Sequence, residues 1–183
     1  MHQLDFFKME NDQIIAIAKQ AIISKINGEN FTFENISSDL LQPKACFVTL
    51  TINGRLRGCI GSLNAHRPLV EDIKANAIAA AFEDNRFLPL TKKEVGKINV
   101  AVSVLSQPFD IEYHNAEELL SQINSDMGII LSYQNKSATF LPQVWQDIPD
   151  KVELLEALAQ KAGLKTDDWK HAKMNGYYVT AYH

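Results

Sequence analysis

Residues 45–61, ACFVTLTINGRLRGCIG, limit the possible folds more than any other stretch. The run 45–52 is rich in β-branched and aromatic residues, Asn53-Gly54 is a favoured pair for a two-residue type I′ turn, and RLRGCI then runs back. An antiparallel hairpin follows. With Asn53 and Gly54 at the centre of the turn, Ile52 faces Arg55, and regular alternation sets Cys59 opposite Val48, on the face of Leu50 and Ile52. The same register makes Cys46 a diagonal neighbour of Cys59 at roughly 7 Å between Cα atoms, marginal for a disulfide.

Around the hairpin, helical and extended patterns mix without a βαβ rhythm. Ile14, Ile17, Ala18, Ala21, Ile22 and Ile26 recur at spacings of three and four, predicting a helix over 11–27 that Gly28 closes. Pro68 suits the first turn of a second, alanine-rich helix reaching about Glu83. Residues 98–105 alternate as a strand that Pro108 ends, and Asn115 with Glu118 opens a short helix through Asn124. Strands are expected at 128–133 and 137–141, a helix striped by Val152, Leu155, Leu158, Ala159 and Ala162 up to Gly163, and a last strand at 176–182. The class is α+β, a largely antiparallel sheet with flanking helices. No repeat or linker divides the chain, so residues 1–183 are expected to form one domain. At this length roughly 70% of the unfolded surface is buried, and no staple is required.

Composition removes several functions. Eighteen Lys+Arg against 22 Asp+Glu give a net charge of -4, which argues against a protein built to hold duplex nucleic acid. Recognition of single-stranded RNA ranks last, because it needs a basic face that this balance does not promise. Two cysteines are too few for a disulfide framework. Metal-binding spacings such as CxxC or HExxH, the Walker A loop and GxGxxG are all missing from the sequence, so no metal or cofactor is expected. The N-terminus carries no apolar signal core and no 18-residue apolar run occurs, which points to a cytoplasmic protein without membrane spans.

Chemistry concentrates in residues 53–68, NGRLRGCIGSLNAHRP. Gly58 and Gly61 permit sharp backbone turns whose N–H groups face a ligand. Arg55, Arg57 and Arg67, with the N-terminus of the next helix, would favour a thiolate at Cys59. Cys59 then becomes a nucleophile or ligand-capturing group for a small anionic or carbonyl substrate. The plainer alternative makes Cys59 a small buried hydrophobe on the core face. Asp84 stands at a helix C-terminus, where negative charge is unfavourable, and Arg86 is near enough to pair with it, with Asn85 left-handed between them. That pair either orients Arg86 toward a substrate at Cys59 or simply pins the loop. His66 is the nearest histidine, either a general base or an exposed residue without a chemical duty. Trp145, Trp169, Tyr177 and Tyr178 suit a pocket or a core equally.

LRGCIG (Leu56 to Gly61) resembles the signature of the AMMECR domain family. FEDNRFLPL (Phe82 to Leu90), INVAVSVLS (Ile98 to Ser106), ATFLPQV (Ala138 to Val144) and LAQKAGL (Leu158 to Leu164) resemble its other blocks in the same order, so the likeness runs from about Cys46 to Leu164. The resemblance implies a larger and a smaller lobe with a cleft near the Arg-Gly-Cys loop. It also implies similarity to component A of the AmmeMemoRadiSam system, whose other members are a Memo-like protein and a radical SAM enzyme, and it brings no settled activity. Two positions depart from the family: its Asp-Pro-Arg-Phe reads Asp84-Asn85-Arg86-Phe87, and its His-Gly reads Met127-Gly128. Two functions follow as expectations. One is an enzyme or enzyme subunit with Cys59 catalytic and Arg57, Gly58, Gly61, Asp84 and Arg86 binding substrate. The other is a non-catalytic binding or adaptor module whose loop recognises an acidic partner or metabolite.

Overall fold

A computed structural model describes residues 3–183, leaving Met1 and His2 of the N-terminal segment outside the described residues. The chain divides into two compact units, one running through Leu105 and regaining Thr180–His183, the other formed by Ser106–Val179. Helices and antiparallel strands occur in both, as an α+β chain requires.

The first unit holds α1 (Gln3–Asn27), a 3-10 turn (Ser38–Leu41), β1 (Cys46–Ile52), β2 (Arg55–Gly61), α2 (Leu69–Phe82), the single turn α3 (Lys92–Val95) and β3 (Ile98–Leu105). β1 pairs antiparallel with β2 on one side and β3 on the other. Asn53 and Gly54 have φ of 51° and 74°, the left-handed pair that a type I′ turn demands. One face of the sheet is apolar: Cys46, Val48 and Leu50 alternate into the core beside Val100, Val102 and Val104. Ile14, Ile17, Ala18 and Ile22 of α1 and Ile73, Ala77, Ala80 and Ala81 of α2 join the same cluster. Alanines let α2 approach the sheet closely, which matters at Gly58 below.

The opposite face carries Phe47, Thr49 and Thr51 of β1, registered with Ser103, Ala101 and Asn99 of β3. None of these six side chains is buried.

The second unit contains β4 (Phe109–Ile111), α4 (Ala116–Gln122), β5 (Met127–Tyr133), β6 (Lys136–Phe140), a 3-10 turn (Pro142–Gln146), α5 (Lys151–Lys161), a second 3-10 turn (Thr166–His171) and most of β7 (Lys173–Tyr182). β7 pairs with β4 and β5, and β5 with β6, all antiparallel. Both helices start on side-chain caps: Asn115 Oδ1 accepts Glu118 N–H, and Asp150 Oδ1 accepts Glu153 N–H, each at 2.9 Å. Leu119, Ile129, Leu131, Leu154, Leu158 and Met174 form a core around Trp145 and Trp169. Trp145, Trp169 and Tyr177 are therefore packing residues, whereas Tyr178 is exposed and stacks on Phe109 at 5.5 Å. Met127, at the start of β5, is buried, and its carbonyl accepts Trp145 Nε1–H at 2.9 Å.

Element ends differ from the sequence pattern where tertiary packing decides them. α1 begins before residue 11 and β7 before residue 176, while β4 and the single-turn α3 carry too few residues to show a period. Among the described residues no helix is long and apolar enough to cross a membrane.

Candidate functional site

A one-residue bulge in β2 decides where Cys59 faces. Ile52 pairs with Arg55 and Thr51 with Leu56, but Leu50 pairs with Gly58, leaving Arg57 as the extra residue. Beyond it the register moves by one, so Cys59 lies opposite Thr49 and not Val48. The regular alternation assumed from sequence is corrected at this point, since a single inserted residue exchanges the two faces of a strand. Cys59 leaves the apolar face and stands half-buried beside Thr49, whose Oγ1 is 3.3 Å from Sγ. Cys46 remains on the core face, fully buried, and burial pushes its thiol far above the usual range. Both thiols are free, and opposite faces preclude the disulfide.

Asp84 and Arg86 grip the backbone of Cys59 from beyond the β2 edge. Asp84 Oδ2 accepts Cys59 N–H at 2.9 Å, and Arg86 Nη2 donates to Cys59 O at 3.1 Å. The two side chains thus supply the acceptor and donor that a neighbouring strand would supply. They also bind each other twice, Arg86 Nε to Asp84 Oδ1 at 2.9 Å and Arg86 Nη2 to Asp84 Oδ2 at 2.7 Å. The guanidinium and the Cys59 N–H hold the Asp84 carboxyl well below the usual carboxylate range. Asp84 is buried while the Arg86 side chain is 52% exposed, so the anion is enclosed and the cation presented. The Arg86 bond to the Cys59 carbonyl sets the guanidinium beside the residue that carries the thiol. Asn85 does not adopt the left-handed conformation; Phe87 N–H closes a turn onto Asp84 O at 3.0 Å.

Two of the other arginines, Arg57 and Arg67, are committed elsewhere. Arg57 donates through Nε and Nη2 to Glu94 at 2.9 and 3.3 Å and through Nη2 to Leu88 O at 3.0 Å. Arg67 Nε bonds Asp72 Oδ1 at 2.7 Å, and Arg55 is exposed. The helix end near Cys59 is also the carboxyl end of α2, since Gly58 packs on Ala80 O, and its partial charge does not favour an anion. Arg86 alone stands in the expected cationic role. His66 is exposed with Nδ1 2.9 Å from Asn64 O, and His114 faces Glu118.

Three features escaped the sequence reading. Glu94 takes the bulge residue Arg57, and the signal was present in the spacing Thr91-x-x-Glu94, a capping box that fixes Glu94 by hydrogen bonds from Thr91. Its carboxyl is lowered from 4.5 to about 2, first by Arg57. A depressed carboxylate stabilises the fold fully above its unfolded pKa and loses that contribution as pH falls through the folded one. Glu94→Gln should therefore lower the urea midpoint at pH 7, and the difference from wild type should shrink between about pH 4.5 and pH 2. A pH-independent difference would refute the assignment.

Asp72 is the second omission. Only 1% exposed, it accepts Cys46 N–H at 2.9 Å, Ser62 Oγ–H at 2.9 Å, Arg67 and, at 2.9 Å, Asn76 Nδ2. Asn76 also donates to Cys46 O at 3.0 Å. The cluster ties α2 to the start of β1 and the end of β2. A carboxylate in a helix's first turn reads as a dipole partner, which concealed this role. The third omission is Thr49, hidden by the regular register. Among the described residues no group of three or more His, Cys, Asp or Glu is placed to hold a metal ion.

Comparison with known proteins follows the same outline. The sequence model described as AMMECR1 matches residues 15–182. A protein of Sulfurisphaera tokodaii is 39% identical over 173 residues, covering 88% of this chain and 75% of that protein. One of Thermofilum pendens is 37% identical over 157 residues, covering 85% and 70%. The crystal structure of an uncharacterised protein from Pyrococcus horikoshii superimposes with a TM-score of 0.80 at 30% identity, covering 94% of this chain and 90% of that one.

Proposed function

The chain belongs to the AMMECR1 family, and on that premise we propose that it is a binding subunit whose Cys59 and Arg86 together receive the anionic end of a small molecule. The observation that carries this reading is the grip of Asp84 and Arg86 on both backbone groups of Cys59. It fixes a thiol on the non-core face of the sheet with a half-exposed guanidinium beside it. Asp84 orients Arg86, and Gly58 allows β2 to lie close enough to α2 for the grip to form. Arg57 shapes the bulge and leaves recognition to Arg86.

Independent cysteine catalysis is less well supported. A nucleophilic thiol needs a base at roughly 2.6–3.2 Å, and among the described residues the hydrogen-bond partner of Cys59 Sγ is the Thr49 hydroxyl. Any reaction would then be completed by a partner, a role that suits the Memo-like protein or the radical SAM enzyme which the resemblance implies.

Alkylation tests the reading without knowledge of the ligand. Iodoacetate is an anion and iodoacetamide its neutral counterpart, so the ratio of their rates at Cys59 reports a cation at the site. One guanidinium should raise that ratio about 3- to 10-fold over a free thiol. Arg86→Gln should abolish the preference and Arg86→Lys retain part of it, with Cys46 as the inaccessible internal control. A ratio equal to that of a free thiol in the wild type rejects the site.

A further inference from the structure

We infer that the ligand is a hydroxylated small molecule with one anionic head group, of sugar-acid or sugar-phosphate size, lying along the face of β2, β1 and β3 that carries Thr49; this rests on the Cys59 and Arg86 reading above. The register lays Cys59, Thr49 and Ala101 in one cross-strand row and Leu56, Thr51 and Asn99 in the next. Ser103 lies in the row on the other side, opposite Phe47. The side chains of Thr51, Asn99 and Ser103 have no hydrogen-bond partner among the described residues, although each lies on a strand whose other face is packed in the core. Such groups offer both donors and acceptors to whatever covers them.

Charge narrows the class. None of the three cross-strand rows contains an ionisable acid or base other than Cys59 itself, and the cation, Arg86, stands at the β2 edge. A ligand matched to that pattern carries its negative group at one end and neutral hydroxyls along its length. An apolar acid would leave Thr51, Asn99 and Ser103 covered and unpaired, and a polyanion would set charge over groups that cannot neutralise it. Two strand spacings and two two-residue repeats give a platform of about 10 by 14 Å, enough for five or six carbons and a head group.

Protection of Cys59 against iodoacetamide at constant pH and ionic strength provides the test. Ribose 5-phosphate is compared with inorganic phosphate, and gluconate with acetate, so that the two pairs separate the head group from the hydroxylated body. At least one hydroxylated probe should half-protect at a concentration tenfold or more below its simple anion. The double variant Thr51→Val, Ser103→Ala should erase that advantage and leave protection by the simple anions unchanged. Both substitutions suit a strand, and an unchanged thermal midpoint will establish that the variant folds. Equal protection by both members of each pair, an advantage that survives in the double variant, or protection by none of the four while the iodoacetate preference persists would overturn the hydroxylated ligand alone. Absence of that preference in the wild type overturns the underlying site as well.

Discussion

Gly58→Ala is expected to lower the thermal midpoint by roughly 6–12 °C, corresponding to a cost of about 3 kcal/mol in a chain of this length. A Cβ at position 58 would lie 2.0 Å from Ala80 O and 3.0 Å from Ala80 C. Both atoms belong to the backbone of α2, so no rotamer relieves the clash, and either the helix or β2 must move. At Gly61 the nearest atoms are in the Phe47 ring, at 2.2 and 2.3 Å, which can turn aside, and the backbone contact, Cys46 O at 2.8 Å, is looser than that of Ala80 O at position 58. Gly61→Ala should consequently be the milder substitution. Differential scanning calorimetry of the two variants decides the matter: a smaller fall for Gly58→Ala than for Gly61→Ala contradicts the close approach of β2 to α2. Because Asp84 follows α2 directly, movement of the helix should also loosen the grip on Cys59, visible as loss of the iodoacetate preference.

Asp72→Ala should cost about 3–5 kcal/mol, measured as a fall in the urea midpoint, with Asp72→Asn intermediate. Alanine deprives Cys46 N–H, Ser62 Oγ–H, Arg67 and Asn76 of their common acceptor. Asparagine keeps one oxygen for them but turns an acceptor into a donor and removes the charge that Arg67 answers. The effect should stay in the first unit, because every partner named belongs to it. Equal stability of Asp72→Ala and wild type would show that water replaces the carboxylate and that the cluster contributes nothing net.

The hairpin was legible because its turn chemistry is local: Asn53-Gly54 dictates left-handed backbone at two adjacent positions, and both residues adopt it. α1, α2 and α5 were legible because each buries a face that recurs at helical spacing. The bulge was not. It depends on Arg57 finding Glu94 and the carbonyl of Leu88, partners more than thirty residues away, and no period within LRGCIG records that pairing. The pairing of Asp84 with Arg86 followed from their separation of two residues, whereas their joint hold on Cys59 needed the path of β2 along the end of α2. The positive cluster expected around the thiol fails for a related reason, since sequence proximity counted Arg57 and Arg67 without the carboxylates that occupy them.

Arg57 gives this strand a parity. Positions 55 and 56 are counted in one phase and positions 58 to 61 in the other, so the length of the segment is as much a part of its message as its composition. Loss of the bulge at unchanged length would turn the sulfur inward and Ile60 outward, whereas deletion of Arg57 would remove the extra residue and leave Cys59 opposite Thr49. Relatives of this chain that lose the bulge should accordingly shorten the segment by one residue.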